Sequence, residues 1–216
     1  MTRLSRSRVR FVPLAMVCGL FAFTAAPAWA DTPSVVLVEE HWELETGEPD
    51  SALSAPQTSM VMSPTGDSNG VYFLFTLNHR SEPDYSPGGM QVQLWDGDHL
   101  LDERNSGETG TLSYNGEVIH WVQRMWVSGG SLNFKVINGT SETWGSFGGE
   151  SFKLSTGTIT NNLGDYRPGV SLTESQVNFA ENRVYSLTLT KLKWLTDDGE
   201  WHEINAPIPV DTSLDP

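Results

Sequence analysis

From residue 34 to residue 204, apolar side chains recur at every second position in runs cut short by turn residues. Successive side chains of a strand point to opposite faces, so this period commits the chain to sheets with one dry and one wet side. Ser34 to Glu45 carries Val36, Val38, Trp42 and Leu44 on one face, interrupted by Glu40, and Glu39, His41, Glu43 and Glu45 on the other. Val71, Phe73, Phe75 and Leu77 alternate with Tyr72, Thr76 and Asn78, and Met90, Val92 and Leu94 alternate with Gln91, Gln93 and Trp95. Glu117 to Val127 follows the turn signal Asn115-Gly116 and sets Ile119, Trp121, Met125 and Val127 on one side, with Gln123 interrupting. Further runs cover Ser131 to Asn138, Arg183 to Trp194 and Trp201 to Ile204. No window of a dozen residues has a 3.6 period, although Glu174 to Asn182 is expected to form a helical turn. The expectation is an all-β antiparallel sandwich or jelly roll of roughly ten to twelve strands, in a single domain over residues 31–216.

The first thirty residues read differently. Arg3, Arg6, Arg8 and Arg10 precede an apolar stretch from Phe11 to Ala26, and Ala28-Trp29-Ala30 supplies a small-x-small site before Asp31. Residues 1–30 are therefore expected to be a secretory signal that is cleaved, and the product to be extracellular or periplasmic. The competing reading, a membrane anchor, is opposed by Pro13, Gly19 and Pro27, and no second apolar segment follows. Cleavage removes four basic residues and no acid, taking the net charge from −14 to −18, with nine basic residues against 27 acidic ones. Such a chain is not expected to bind nucleic acid, which needs clustered Lys and Arg. The one cysteine, Cys18, leaves with the signal, so the domain must be held by its core rather than by disulfides.

Trp121 followed by Leu132 to Gly139 resembles a strand pair with an Asn-Gly turn in laminin-G and concanavalin A-like sandwiches. The run Arg183 to Leu189 resembles the strand with which such domains close their sheet. His120 stands before the tryptophan, where the laminin-G pattern has histidine after it. The resemblance implies a fold and a habit of binding sugars or proteins, and it assigns no site.

Three kinds of chemistry have candidate residues. Glu43-Leu44-Glu45-Thr46-Gly47-Glu48 is similar to the E-x-D-x-x-E strand of laminarinase-like glucanases, with Glu45 in place of the middle Asp. Positions i and i+2 of a strand share a face, so Glu43 and Glu45 could serve as a retaining pair in a glycoside hydrolase or lyase. The same parity also describes an ordinary solvated strand face. Asp96-Gly97-Asp98 and the acids after it offer oxygens for calcium, with Asp96 and Asp98 as ligands, although Asp-Gly is equally hairpin chemistry. Aromatics in Gly- and Pro-rich loops offer stacking surfaces for sugars, with Asp and Arg beside them for the hydroxyls. These are Asp84 and Tyr85, Trp144, and Asp165, Tyr166 and Arg167. The alternative for each ring is that it plugs an end of the sandwich. The leading expectation is a non-catalytic module that binds carbohydrate or a glycan-bearing surface. An enzyme using Glu43 and Glu45 is the second, and an envelope or matrix domain that binds protein is the third.

Overall fold

The computed structural model describes residues 32–47, 56–78, 88–108, 110–112, 114–157, 160–205 and 207–211. Thirteen strands form two antiparallel sheets. The larger contains β1 (Val35–Thr46), β6 (Val118–Ser128), β7 (Ser131–Ser141), β8 (Gly145–Phe147), β9 (Lys153–Gly157), β11 (Val184–Thr196), β12 (Trp201–Ile204) and β13 (Ile208–Asp211). Its order is β12-β11-β1-β6-β7-β8, with β13 also pairing β11 and β9 also pairing β7. The smaller runs β10 (Gln176–Phe179), β2 (Gln57–Met62), β3 (Val71–Leu77), β4 (Met90–Asp96), β5 (His99–Asn105). This is the expected all-β sandwich.

The inward parities meet as the alternation requires. Phe73 of β3 stacks on Phe134 of β7 with ring centroids 4.7 Å apart, and Phe75 meets Trp121 of β6 edge-on at 5.9 Å. Met60, Met62, Val92 and Leu94 from one sheet, and Leu44, Ile119, Met125 and Val136 from the other, complete a core from which water is excluded. Each such side chain contributes roughly 1.5–3 kcal/mol of burial, enough collectively to replace disulfides. The two residues that interrupt the alternation lie side by side inside: Glu40 and Gln123 are cross-strand partners, and both are fully buried.

Residues 160–175 fold against this polar spot. The Leu163 amide donates to the Val35 carbonyl at 2.7 Å, and the helix α1 (Pro168–Glu174) begins with proline, whose missing N–H costs nothing in a first turn. The helical turn expected at 174–182 therefore lies earlier. Residues 176–179 are instead the edge strand β10, and 181–183 form one 3-10 turn. Asn115-Gly116 does turn, with Gly116 at φ 71°, but it closes no hairpin. The preceding strand β5 belongs to the other sheet, and the Gly116 amide bonds the Thr46 carbonyl. Asn138-Gly139 is likewise a bulge within β7, where Asn138 takes φ 54° and Phe147 packs directly on Gly139.

Candidate functional site

The outer face of the five-stranded sheet carries ordered rows of hydrogen-bonding groups, uncharged but for Glu103, beside two aromatic rings. Register places Thr76, Gln91 and Asn105 in one row, Leu74, Gln93 and Glu103 in the next, and Tyr72 and Trp95 in the third. The polar side chains form a chain. Trp95 Nε1 donates to Gln93 Oε1 at 3.3 Å, Gln93 Nε2 donates to Glu103 Oε2 at 3.2 Å, and Gln91 Nε2 donates to Asn105 Oδ1 at 2.8 Å. Each amide is thereby oriented, and each keeps spare donor and acceptor capacity toward solvent. Tyr72 and Trp95 are half-buried, their rings nearly parallel (5°) with centroids 6.4 Å apart.

This third row borders a cavity of about 380 Å³ lined by Val61, Ser68, Asn69, Tyr72, Gly97, Asp98 and Glu174. A second cavity of about 470 Å³ adjoins it, sharing Ser68, Asn69 and Glu174 and adding Asp67, Arg167 and Thr173. The loop between β2 and β3 forms the wall between them, held by Ser63, whose hydroxyl donates to the Asp67 carbonyl at 2.6 Å, and by Asp67, whose carboxylate accepts the Asn69 amide at 2.9 Å. Desolvation raises the Tyr72 hydroxyl above its ordinary pKa, and the nearby carboxylates of Asp98 and Glu174 raise it further, so it remains a donor at neutral pH. Rings, hydroxyls and carboxylates thus converge at one end of an open sheet face, next to its amide rows.

The outer face of the eight-stranded sheet is chemically different. Glu39 of β1 lies between Arg124 of β6, whose Nε donates to Glu39 Oε1 at 2.8 Å, and Lys193 of β11 at 3.9 Å. Lys135 pairs with Glu150, and Lys191 with Glu203. Lys193 also lies over the Trp201 ring at 4.7 Å, and Lys153 over Trp126 at 5.5 Å. Glu43 and Glu45 sit on this face, half-buried and sharing the parity expected of them. Glu43 Oε2 is 3.5 Å from His120 Nδ1.

The loop residues expected to bind sugar separate into three groups. Asp84 and Tyr85 lie outside the described residues. Trp144 and Tyr166 are core, 6% and 8% exposed, which removes their ring faces from any ligand. Trp144 Nε1 donates to the Gly110 carbonyl at 2.7 Å, and its turn is fixed by buried Glu117, which accepts from the Thr143 amide and hydroxyl at 2.9 and 2.6 Å. The Tyr166 hydroxyl donates to Glu40 Oε1 at 2.6 Å, joined there by the Ser171 hydroxyl, while Trp42 Nε1 donates to Oε2 at 3.0 Å. The tyrosine is an anchor for residues 160–175, not a contact surface. Asp165 is exposed, and so is Arg167, which lines the second cavity and donates from Nη1 to the Gly164 and Tyr166 carbonyls at 2.9 and 2.7 Å. Asp96 and Asp98 flank the β4–β5 turn, both exposed, with Asp98 reaching the first cavity. Among the described residues, no three His, Asp or Glu gather as a metal ion requires.

Tyr72, Gln91, Gln93 and Trp95 carried a readable signal, since each is a large or amide side chain at an outward strand position. Only the cross-strand register, which brings residues some twenty positions apart into contact, turns them into a surface. No family model, curated protein or solved structure matches the chain. Among the described residues no helix is long and apolar enough to cross a membrane.

Proposed function

We propose that this is an exported carbohydrate-binding sandwich whose site is the outer face of the five-stranded sheet, not its loops. The Tyr72–Trp95 pair carries the reading, set at the rim of a polar cavity and beside oriented amides. Half-buried aromatic rings present C–H-compatible surface to a pyranose, while Gln91, Gln93 and Asn105 match its hydroxyls by both donating and accepting, and the Glu103 carboxylate accepts from them. Export rests on the sequence of residues 1–30, and the kinship with concanavalin A-like sandwiches rests on the strand motifs alone.

The test is retention of the purified protein on a panel of insoluble polysaccharides, with the supernatants assayed for released sugar. Retention on at least one polymer without release is expected, and Trp95→Ala should lose it. Trp95 is half-buried on the outer face, so its removal leaves no cavity in the core, and an unchanged circular dichroism spectrum and melting transition would show that the variant remains folded. Retention that survives both Tyr72→Ala and Trp95→Ala would move the site elsewhere. Released sugar that disappears in Glu43→Gln would replace the binding module with a hydrolase or lyase.

A further inference from the structure

We infer that the glycan taken by this face is uncharged: a neutral polysaccharide rather than a uronate or sulfated one. The inference deepens the carbohydrate reading and rests on it. Among the described residues, the three rows of the face hold no lysine or arginine, and their single ionised group is Glu103. The adjoining cavity adds Asp98 and Glu174. Arg167 lines the second cavity, not the first, and its Nη1 donates to two backbone carbonyls. Arg104 belongs to β5 but shares the parity of Asp102 and Val92, away from the amide rows, and donates to the Glu150 carbonyl at 3.2 Å. Five of the nine basic residues that follow position 30 (Arg124, Lys135, Lys153, Lys191 and Lys193) belong to the other sheet.

Carboxylate and sulfate groups are held in proteins by guanidinium, ammonium or clustered N–H donors. On the rows and at the first cavity an anionic sugar would lose hydration and meet three carboxylates, with no lysine or arginine among the described residues there to replace the water. A neutral sugar meets no such penalty, because carboxylates accept from its hydroxyls and amides do both. Repulsion between exposed charges is screened over a Debye length, so the discrimination should be strongest at low ionic strength.

Binding of the intact exported chain to neutral polymers (a β-glucan, a xylan, a mannan) and to polygalacturonate and alginate would be compared at low salt. The expected result is Trp95-dependent binding to a neutral polymer, with the uronates at least tenfold weaker. Neutralising Asp98, Glu103 and Glu174 together (D98N, E103Q, E174Q) should narrow that gap at unchanged melting temperature. A uronate that binds as well as the neutral polymers, and is lost in Trp95→Ala, would overturn this inference while leaving the glycan site intact. Uronate binding indifferent to Trp95→Ala, or no binding to any polymer, would remove the site reading along with it.

Discussion

The two outer faces of the sandwich are built on the same strand geometry and have opposite uses for their polar groups. On the eight-stranded sheet, Arg124, Lys191 and Lys193 are matched to Glu39 and Glu203 across neighbouring strands, and two lysines lie over tryptophan rings. Those charges consume one another, and Glu39 is left only 5% exposed beneath its cations. On the five-stranded sheet the groups are amides that bond to one another, to the Trp95 indole and to the Glu103 carboxylate, and each amide retains capacity to spare. A face whose charges are closed into pairs stabilises the fold. A face whose dipoles are only half-satisfied leaves donors and acceptors to solvent. The contrast explains why an acidic chain places its scarce cations where it does.

Removing one group from each face should break the symmetry most visibly. Arg124→Ala strands the covered Glu39 carboxylate with only Lys193 and His41 nearby, at 3.9 and 3.7 Å, and should cost about 2–3 kcal/mol. Gln93→Ala, on the other sheet, should shift stability by no more than about 0.5 kcal/mol and appear instead as weakened polysaccharide retention. Urea midpoints and retention measured on both proteins would decide it. Equal losses of stability would mean that the amide row is structural.

Adjacent residues of β1 sharpen the comparison by pH. His41, Arg124 and Lys193 hold the Glu39 carboxyl at about 2 against the upward push of its own burial, well under its ordinary 4.5. Its stabilisation is complete above pH 4.5 and is lost as pH falls toward 2, on the order of 2 kcal/mol after screening. Glu40 points the other way, into the core, where burial raises its pKa despite the hydroxyls of Ser171 and Tyr166 and the Trp42 indole N–H. A raised carboxyl binds more protons folded than unfolded, so its contribution is complete below pH 4.5 and declines as pH rises through the folded-state value. Glu39→Gln should therefore flatten the acid side of a stability–pH curve, and Glu40→Gln the side above pH 4.5. Effects on the same side would refute the opposed burial of the two residues.

Much of this was legible in the chain. The alternation marked β1, β3, β4, β6, β7, β11 and β12 to within a residue or two at most boundaries, because each lays an apolar face on the core. It missed β2, which is buried at nearly every position and so shows no alternation, the short strands β8, β9 and β13, and the edge strands β5 and β10, which have little burial; the acids of β5 read as part of an Asp-rich turn. The face was legible residue by residue and not as a face, since a period of two reports which side a residue occupies and not which strand lies beside it. The sequence around Tyr166 leaves its role open for a related reason. A tyrosine between Asp165 and Arg167 looks exposed, and only Glu40, 126 positions away, shows that its hydroxyl is needed inside.

Glu40 and Gln123, the two breaks in the inward alternation, hold the last and smallest test. Glu40 is served by three donors, whereas both Oε1 and Nε2 of buried Gln123 have no partner among the described residues. The outer-face amides lose little by being half-satisfied because water completes them. An inner amide without water forfeits its hydrogen bonds outright, and an apolar side chain of the same shape removes that penalty. Gln123→Met should then raise stability by about 1 kcal/mol, read as a higher urea midpoint at unchanged slope. A fall of similar size would show instead that ordered water, lodged beside Glu40 and the likewise unpartnered Trp121 Nε1, completes the amide. In that case the polar spot inside the sandwich obeys the same rule as the face outside it.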